Sequence, residues 1–355
     1  MGLPPKFKSL DRIPALMGGP VSPTRVDLGG NLFFNQDCIA GAREHLGDDS
    51  VDLIITDPPY GIQGHIMHRH YNRDERFVAD GYVEVDGAHY NEFSHRWISE
   101  AYRILKPGGS IYVVSGYTNL YHILDALHGA GLLEVNHIIW RYRFGVYTKK
   151  KYISSHYHIL FYEKPGKRRH TFNVTSRFGL SEKDPSGGSL NYQDREDVWD
   201  MNREYKRKRA KNKNELPLEL LVKMIQYSSD PGNTVCDLFM GGFSTAKAAI
   251  GLDRRFVGFE ISKEIFSTRL KDLEGLRPGY LQDGLRTPMH VQIRNQGKSW
   301  TEDELGRMRQ RFLELKANRV KKYKIIPALC EEFGRGRWSI EKALKKNGLG
   351  MREPK

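Results

Sequence analysis

Cysteine is scarce in this chain: Cys38, Cys236 and Cys330 are the only three in 355 residues. They are far apart and lack the paired spacing of zinc ligands, which argues against both a disulfide framework and a zinc site. Long apolar runs are missing as well. No segment reaches the roughly 18 to 20 apolar residues that a membrane span needs, and the mean hydropathy is −0.59. The opening "MGLPPKFKSLDRIPALMGGP" has basic residues but no uninterrupted apolar stretch and no small-residue cleavage site. It predicts no secretory signal, and a reducing cytoplasm is expected. Acid is in deficit, with 43 Asp and Glu against 56 Lys and Arg, a net charge of +13. Such a balance points to a polyanionic partner.

The excess charge is concentrated in two places. From Met289 to Lys355 the basic residues outnumber the acidic ones 17 to 8, so this tail holds +9 of the total, and "REYKRKRAKNK" forms a second block at Arg203 to Lys213. Two separate basic blocks favour nucleic acid over a merely solvated surface. His65, His68 and His70, in "GHIMHRHY", suggest a metal site, but no acid or cysteine stands at matching spacing. A mobile loop from Gly61 to Asp86 that contacts phosphate is the simpler expectation, with no metal.

Strands and helices alternate from about Asn31 to Gly275. "NLFFNQDC", "VDLIITD" and "GSIYVVSG" read as strands, and "VNHIIWRYRF" and "HYHILFYEKP" as a further pair. "SHRWISEAYRIL" reads as a helix with Trp97, Ile98, Ala101, Tyr102 and Leu105 on one face, stopped by "KPGG". "NLYHILDALHGAGL" repeats the pattern. From Gly166 to Asn214 the chain is polar, basic and irregular, which is long for a segment without a use. Then "LPLELLVKMIQYSS" (helix), "GNTVCDLFMGG" (strand and Gly turn), "STAKAAIGL" (helix), "RRFVGFEIS" (strand) and "KEIFSTRLKDLEGL" (helix) follow. This is a βαβ unit, so the expected fold is α/β with a mostly parallel open sheet. In the tail, Thr301 followed by Glu304 is a capping box, and three short helices suggest a basic helix-turn-helix-like module, or else a helical cap or dimerisation element.

Two stretches carry chemistry. In "DPPY" two prolines hold a strand exit extended, so that Asp57 and the carbonyl of Pro58 can accept both donors of a planar NH₂ group. Pro59 completes the rigid corner, and Tyr60 offers a flat face for an aromatic base. In "VCDLFMGGFST", Asp237 ends a strand, Phe239, Gly241 and Gly242 turn, and Ser244 opens a helix. Glu260 ends the next strand, where an acid can accept ribose hydroxyls. The turn is not GxGxxG, which fits an adenosine-containing cofactor without pyrophosphate.

"DPPY" (Asp57 to Tyr60) and "DLFMGG" (Asp237 to Gly242) resemble motifs IV and I of the amino-directed, S-adenosylmethionine-dependent DNA methyltransferases, and their order resembles the β-class. "NQDC", "RILKPGGSIYVV" and "ELPLELLVKMI" support the resemblance, which covers about Asn31 to Leu276. It implies a Rossmann-like methyltransferase fold: residues 1–30 an N-terminal extension, 31–288 the methyltransferase domain with a target-recognition insertion at 166–214, and 289–355 the basic helical module. The implied reaction moves a methyl group from S-adenosylmethionine to the exocyclic N6 of a flipped-out adenine. Asp at the first motif position favours adenine, where Ser is more usual for cytosine N4; that enzyme, an RNA or glutamine-amide methyltransferase, and an inactive DNA-binding regulator are the alternatives.

In the implied roles Asp57, Pro58, Pro59 and Tyr60 are catalytic. Asp37, Cys38, Asp57, Asp237, Phe239, Gly241, Gly242, Ser244 and Glu260 hold the cofactor, with Asp37 near the adenine amine. Relatives commonly have Lys-Pro before motif I; here Leu216 precedes Pro217, so that polar cofactor contact is either missing or supplied by Asn214 or Lys213. Arg203, Lys206, Arg207, Lys208, Arg209, Lys211, Lys321 and Lys322 are expected on double-stranded DNA. A homodimer and a cognate restriction endonuclease are the protein partners the resemblance leaves open. No membrane partner is expected, and the expected setting is the nucleoid of a bacterium, an archaeon or a phage-infected cell.

Overall fold

One sheet organises the larger part of the chain. A computed structural model describes residues 24–61, 85–143, 147, 149–167, 169–202, 215–286, 288, 295, 298–320 and 322–349. These fall into two units, Met1–Asn173 with Asp197–Leu285, and Val174–Glu196 with Arg286–Lys355.

In the first unit the described strands are β1 (Thr24–Leu28), β2 (Asn31–Asn35), β3 (Val51–Thr56), β4 (Leu105–Ser115), β5 (Leu133–Arg141), β6 (His156–Glu163), β7 (Val198–Asp200), β8 (Thr234–Asp237) and β9 (Arg255–Phe259). Their order across the sheet is β1-β2-β9-β8-β3-β4-β6-β5-β7. The run β2-β9-β8-β3-β4 is parallel throughout, while β6 is antiparallel to both β4 and β5. Helices α1 (Cys38–His45), α2 (Tyr90–Ile104) and α3 (Leu120–Gly129) cover one face. The other face is covered by α5 (Leu218–Ser228) and α6 (Ser244–Gly251), with Phe266 of α7 (Lys263–Lys271) packed there too.

The alternation of side chains explains both layers. In β3, Leu53 and Ile55 enter the core under α5 and α6, while Ile54 enters the core under α1 to α3. A strand buried on both faces must be apolar continuously, which is what "VDLIIT" is apart from Asp52 and the terminal Thr56. In α2, Phe93, Trp97, Ile98, Ala101 and Ile104 recur at helical spacing and are buried. Burying each large side chain of that stripe contributes roughly 1.5–3 kcal/mol.

Several expectations change. Residues 24–28, expected in an N-terminal extension, form β1, which pairs with β2 and opens the sheet. "NLFFNQDC" leaves the sheet at Asn35, because Asp37 caps α1 by accepting from the amides of Ile39 and Ala40. "KPGG" does not lie between helix and strand: α2 ends at Ile104 and β4 begins at once. Val51 pairs with Leu105 and Leu53 with Ser110, so Lys106–Gly109 bulge out of the ladder. The stretch 166–214 is not uniformly irregular either. Within it β7 extends the sheet beside β5, whereas Val174–Glu196, with the short helix α4 (Leu190–Asp194), belongs to the second unit.

The second unit also contains α8 (Glu302–Ala317), α9 (Lys322–Phe333) and α10 (Arg337–Lys346), closed on a core of their own that includes Met308, Phe312, Ile326, Leu329, Ile340 and Leu344. The Thr301 and Glu304 capping box is formed. Arg286, expected in the methyltransferase domain, belongs here: its guanidinium pairs with Glu182 and lies over the ring of Phe178. Among the described residues no helix is long and apolar enough to cross a membrane.

Candidate active site

The parallel run brings four carboxyl ends to one edge of the sheet. In the order β2, β9, β8, β3, these ends lead into Asp37, Glu260, Asp237 and Asp57. β8 and β3 are neighbours, yet α6, which follows β8, packs on one face and α2, which follows β3, on the other. Such a reversal leaves a crevice outside the strand ends, where open α/β sheets take ligands. The Thr56 hydroxyl donates to Asp237 Oδ1 at 2.9 Å across this boundary, joining residues 181 positions apart.

On the β3 side stands the diproline corner. The Tyr60 hydroxyl donates to Asp57 Oδ1 at 2.7 Å, so the two side chains the sequence singled out are coupled. The carbonyls that follow are held by side chains. The Tyr90 hydroxyl donates to the Pro59 carbonyl at 2.8 Å, and Asn119 Nδ2 donates to the carbonyls of Tyr60 at 2.6 Å and Gly61 at 3.2 Å. Gly61 has φ +64°, and a Cβ there would stand 2.3 Å from the Tyr90 ring, so this close approach requires glycine. Tyr60 packs against Tyr157 at 5.9 Å between ring centroids, and Tyr157 in turn meets Trp140 and Tyr142.

On the β8 side Asp237 is buried and accepts from Thr56 and from the Phe239 amide. Burial pushes its carboxyl up to about 6, against the opposing hydrogen bonds. Glu260 is also buried, with Oε2 accepting from the Gly241 amide at 2.9 Å and Oε1 from the Ser262 amide at 2.7 Å. Burial pushes this carboxyl up to about 7. Asn35 Nδ2 donates to the carbonyls of Glu260 and Ile261, tying β2 to the same corner. Gly242 lies under Glu215: a Cβ at 242 would meet the Glu215 side chain at 2.3 Å, and Glu215 is paired with Arg269 at 3.3 Å. Phe243 sits at φ +59° with its ring fully buried and stacked on Phe33.

The structure brings Asp37, Asp57, Pro58, Pro59, Tyr60, Asp237, Phe239, Gly241, Gly242, Ser244 and Glu260 to this edge. Some of them do more local work than the sequence suggests. Asp37 Oδ1 caps α1, the Phe239 ring packs edge-on against Trp97, and the Cys38 thiol is buried in the core, where burial and the neighbouring Asp37 push it up. Asn214, Arg203, Lys206, Arg207, Lys208, Arg209, Lys211 and Lys321 lie outside the described residues, as do His65, His68 and His70 and most of the expected loop from Gly61 to Asp86. Lys322 opens α9, but its side chain is likewise outside them. Among the described residues no group of three or more His, Cys, Asp or Glu could hold a metal ion.

Sequence reasoning missed Tyr90, Asn119, Tyr157 and Glu215. Asn119 occupies the N-cap of α3, yet its side chain makes no capping bond and goes to the diproline corner instead.

A family model described as DNA methylase matches residues 51–271. The chain is 27% identical over 259 residues to the type II methyltransferase M.HinfI of Haemophilus influenzae, covering 70% of this chain and 69% of that one. It is 29% identical over 243 residues to M.HpaI of Haemophilus parainfluenzae, covering 67% and 73%. Among solved structures, a PvuII DNA methyltransferase (cytosine-N4-specific) superposes with a TM-score of 0.52 at 13% identity, covering 72% of this chain and 91% of that one, a likeness of fold.

Proposed function

The chain belongs to the DNA methylase family, and from that premise we propose that it transfers a methyl group from S-adenosylmethionine to the exocyclic N6 of adenine in a specific DNA sequence. The observation that carries this reading is the adjacency of the Asp57 corner to the Asp237 and Glu260 corner across the β3–β8 boundary. The residues fit the donor. A buried carboxylate at Glu260 suits vicinal hydroxyls, the Gly241–Gly242 turn admits a ligand close to the backbone, and the Glu215 carboxylate beside Gly242 suits an α-ammonium group.

S-adenosylmethionine, when bound, supplies an electrophilic methyl group on sulfur. The work of the chain lies in presenting the nitrogen to it. An exocyclic amine is a poor nucleophile because its lone pair is delocalised into the ring. Asp57 and the Pro58 carbonyl would accept its two N–H bonds and turn the nitrogen toward sp³ geometry, so that the lone pair faces the methyl group. As the N–C bond forms and the S–C bond breaks, positive charge grows on the nitrogen. The carboxylate stabilises that charge, and the surplus proton leaves along the hydrogen bond to Asp57. Tyr60, backed by Tyr157, offers the face on which a flipped base can stack.

The Asp carboxylate at the first position of the corner supports adenine over cytosine. Digesting methylated DNA to nucleosides and identifying the product by mass spectrometry tests it: N6-methyladenine is expected, and N4-methylcytosine alone would overturn the choice of base. Asp57→Ala should abolish turnover while leaving donor binding largely intact. A specific duplex is the proposed substrate, with the basic segment at 203–213 on its phosphates.

A further inference from the structure

We propose that α9, α10 and the turn between them form a helix-turn-helix whose second helix, α10, is a DNA-docking surface separate from the catalytic edge. The proposal rests on DNA being the substrate and adds a second binding site for it.

The turn between the helices is three residues long, Gly334, Arg335 and Gly336. A turn of three or four residues containing glycine is what joins the helices of such motifs, and Gly334 adopts φ +58°. The turn is locked from inside. The Arg335 side chain is buried, donates to the carbonyls of Lys298 and Ser299 at 2.6 and 2.9 Å and to Glu304 Oε2 at 2.8 Å, and lies over the ring of Trp300. This one guanidinium ties the turn to the start of α8, so α10 is held on a rigid base.

Charge then separates the helices. α8 carries four cations and four acids, with Arg307 paired to Asp303 and Arg311 to Glu314 and Glu332. On α10 there are four cations and one acid in ten residues. Ile340, Ala343 and Leu344 face the core, while Lys342, Lys345 and Lys346, spaced three and four apart, are exposed on the opposite side. A cationic helix face carried by a short rigid turn is the geometry that enters a major groove.

The test uses the full-length protein with Lys342, Lys345 and Lys346 all changed to Gln, and a second variant with all three changed to Arg. Affinity for duplex DNA is read by fluorescence anisotropy from about 50 to 300 mM salt. Each lost phosphate contact should lower the salt slope by about one, so the Gln variant is expected to lose two to three units of slope and at least about tenfold in affinity at about 100 mM salt. The Arg variant should keep both. Methyl transfer at saturating DNA should persist in the Gln variant. An unchanged slope in a folded Gln variant that still methylates would overturn the docking surface alone. A full-length chain that binds duplex DNA but transfers no methyl group to it would overturn the proposed function and leave the surface standing. Weakened RNA binding with unchanged duplex binding would overturn the DNA assignment.

Discussion

Glu260 and Phe243 show how single side chains set the properties of the cofactor corner. Burial holds Glu260 near pH 7 and Asp237 near pH 6, whereas carboxyls in an unfolded chain titrate at about 4. The folded protein therefore keeps protons that the unfolded chain has lost. Their contribution to stability is full below about pH 4 and is lost as pH rises through about 7. Hydroxyl donors from a ribose favour the charged carboxylate, so S-adenosylmethionine affinity should strengthen as pH rises through about 7, and Glu260→Gln should flatten the profile. Isothermal titration calorimetry across that interval checks both. Phe243 combines a left-handed backbone, costing roughly 1–2 kcal/mol, with full ring burial against Phe33 and Phe266. Phe243→Ala should cost about 3–5 kcal/mol in urea unfolding. Phe243→Gly relieves the backbone and should be the milder change, the reverse of the usual order.

At the scale of elements, the diproline corner is shaped from outside itself. Tyr90 opens α2 and Asn119 precedes α3, and between them they hold three successive carbonyls after Pro58. That clamp fixes where Asp57 and Pro58 point. Asn119→Ala should lower single-turnover methyl transfer by about 10- to 100-fold, since a misplacement near 1 Å costs that much, while donor affinity holds. A parallel loss of donor affinity would mean that Asn119 supports the whole edge. The sequence read Asn119 only as part of a helix beginning, because the bond it makes reaches residues 59 positions away. Elements themselves were more legible. Period-two and helical spacing located β3, β4, α2, α3, α5, α6 and β9, whereas β1 and β7 are short strands whose only reason to be extended is the neighbour they pair with.

For the whole molecule, the three C-terminal helices close on a core of their own among the described residues. Deleting residues 295–355 should therefore leave S-adenosylmethionine binding within about twofold of the intact chain, as expected for a separately cored unit, and calorimetry on the truncated chain measures it. Loss of binding would mean that the sheet depends on the module. By itself the sequence determined the alternating elements, the rigid diproline exit, the glycine turn and the excess of positive charge, because each follows from local backbone sterics, spacing or composition. Folding, by contrast, is what sets Asp57 and Asp237 at adjacent strand ends, braces the corner with Tyr90 and Asn119, and puts Lys342, Lys345 and Lys346 on one exposed face. Those relations depend on strand order and on which helix face is buried, and both are settled by contacts between residues far apart in the chain.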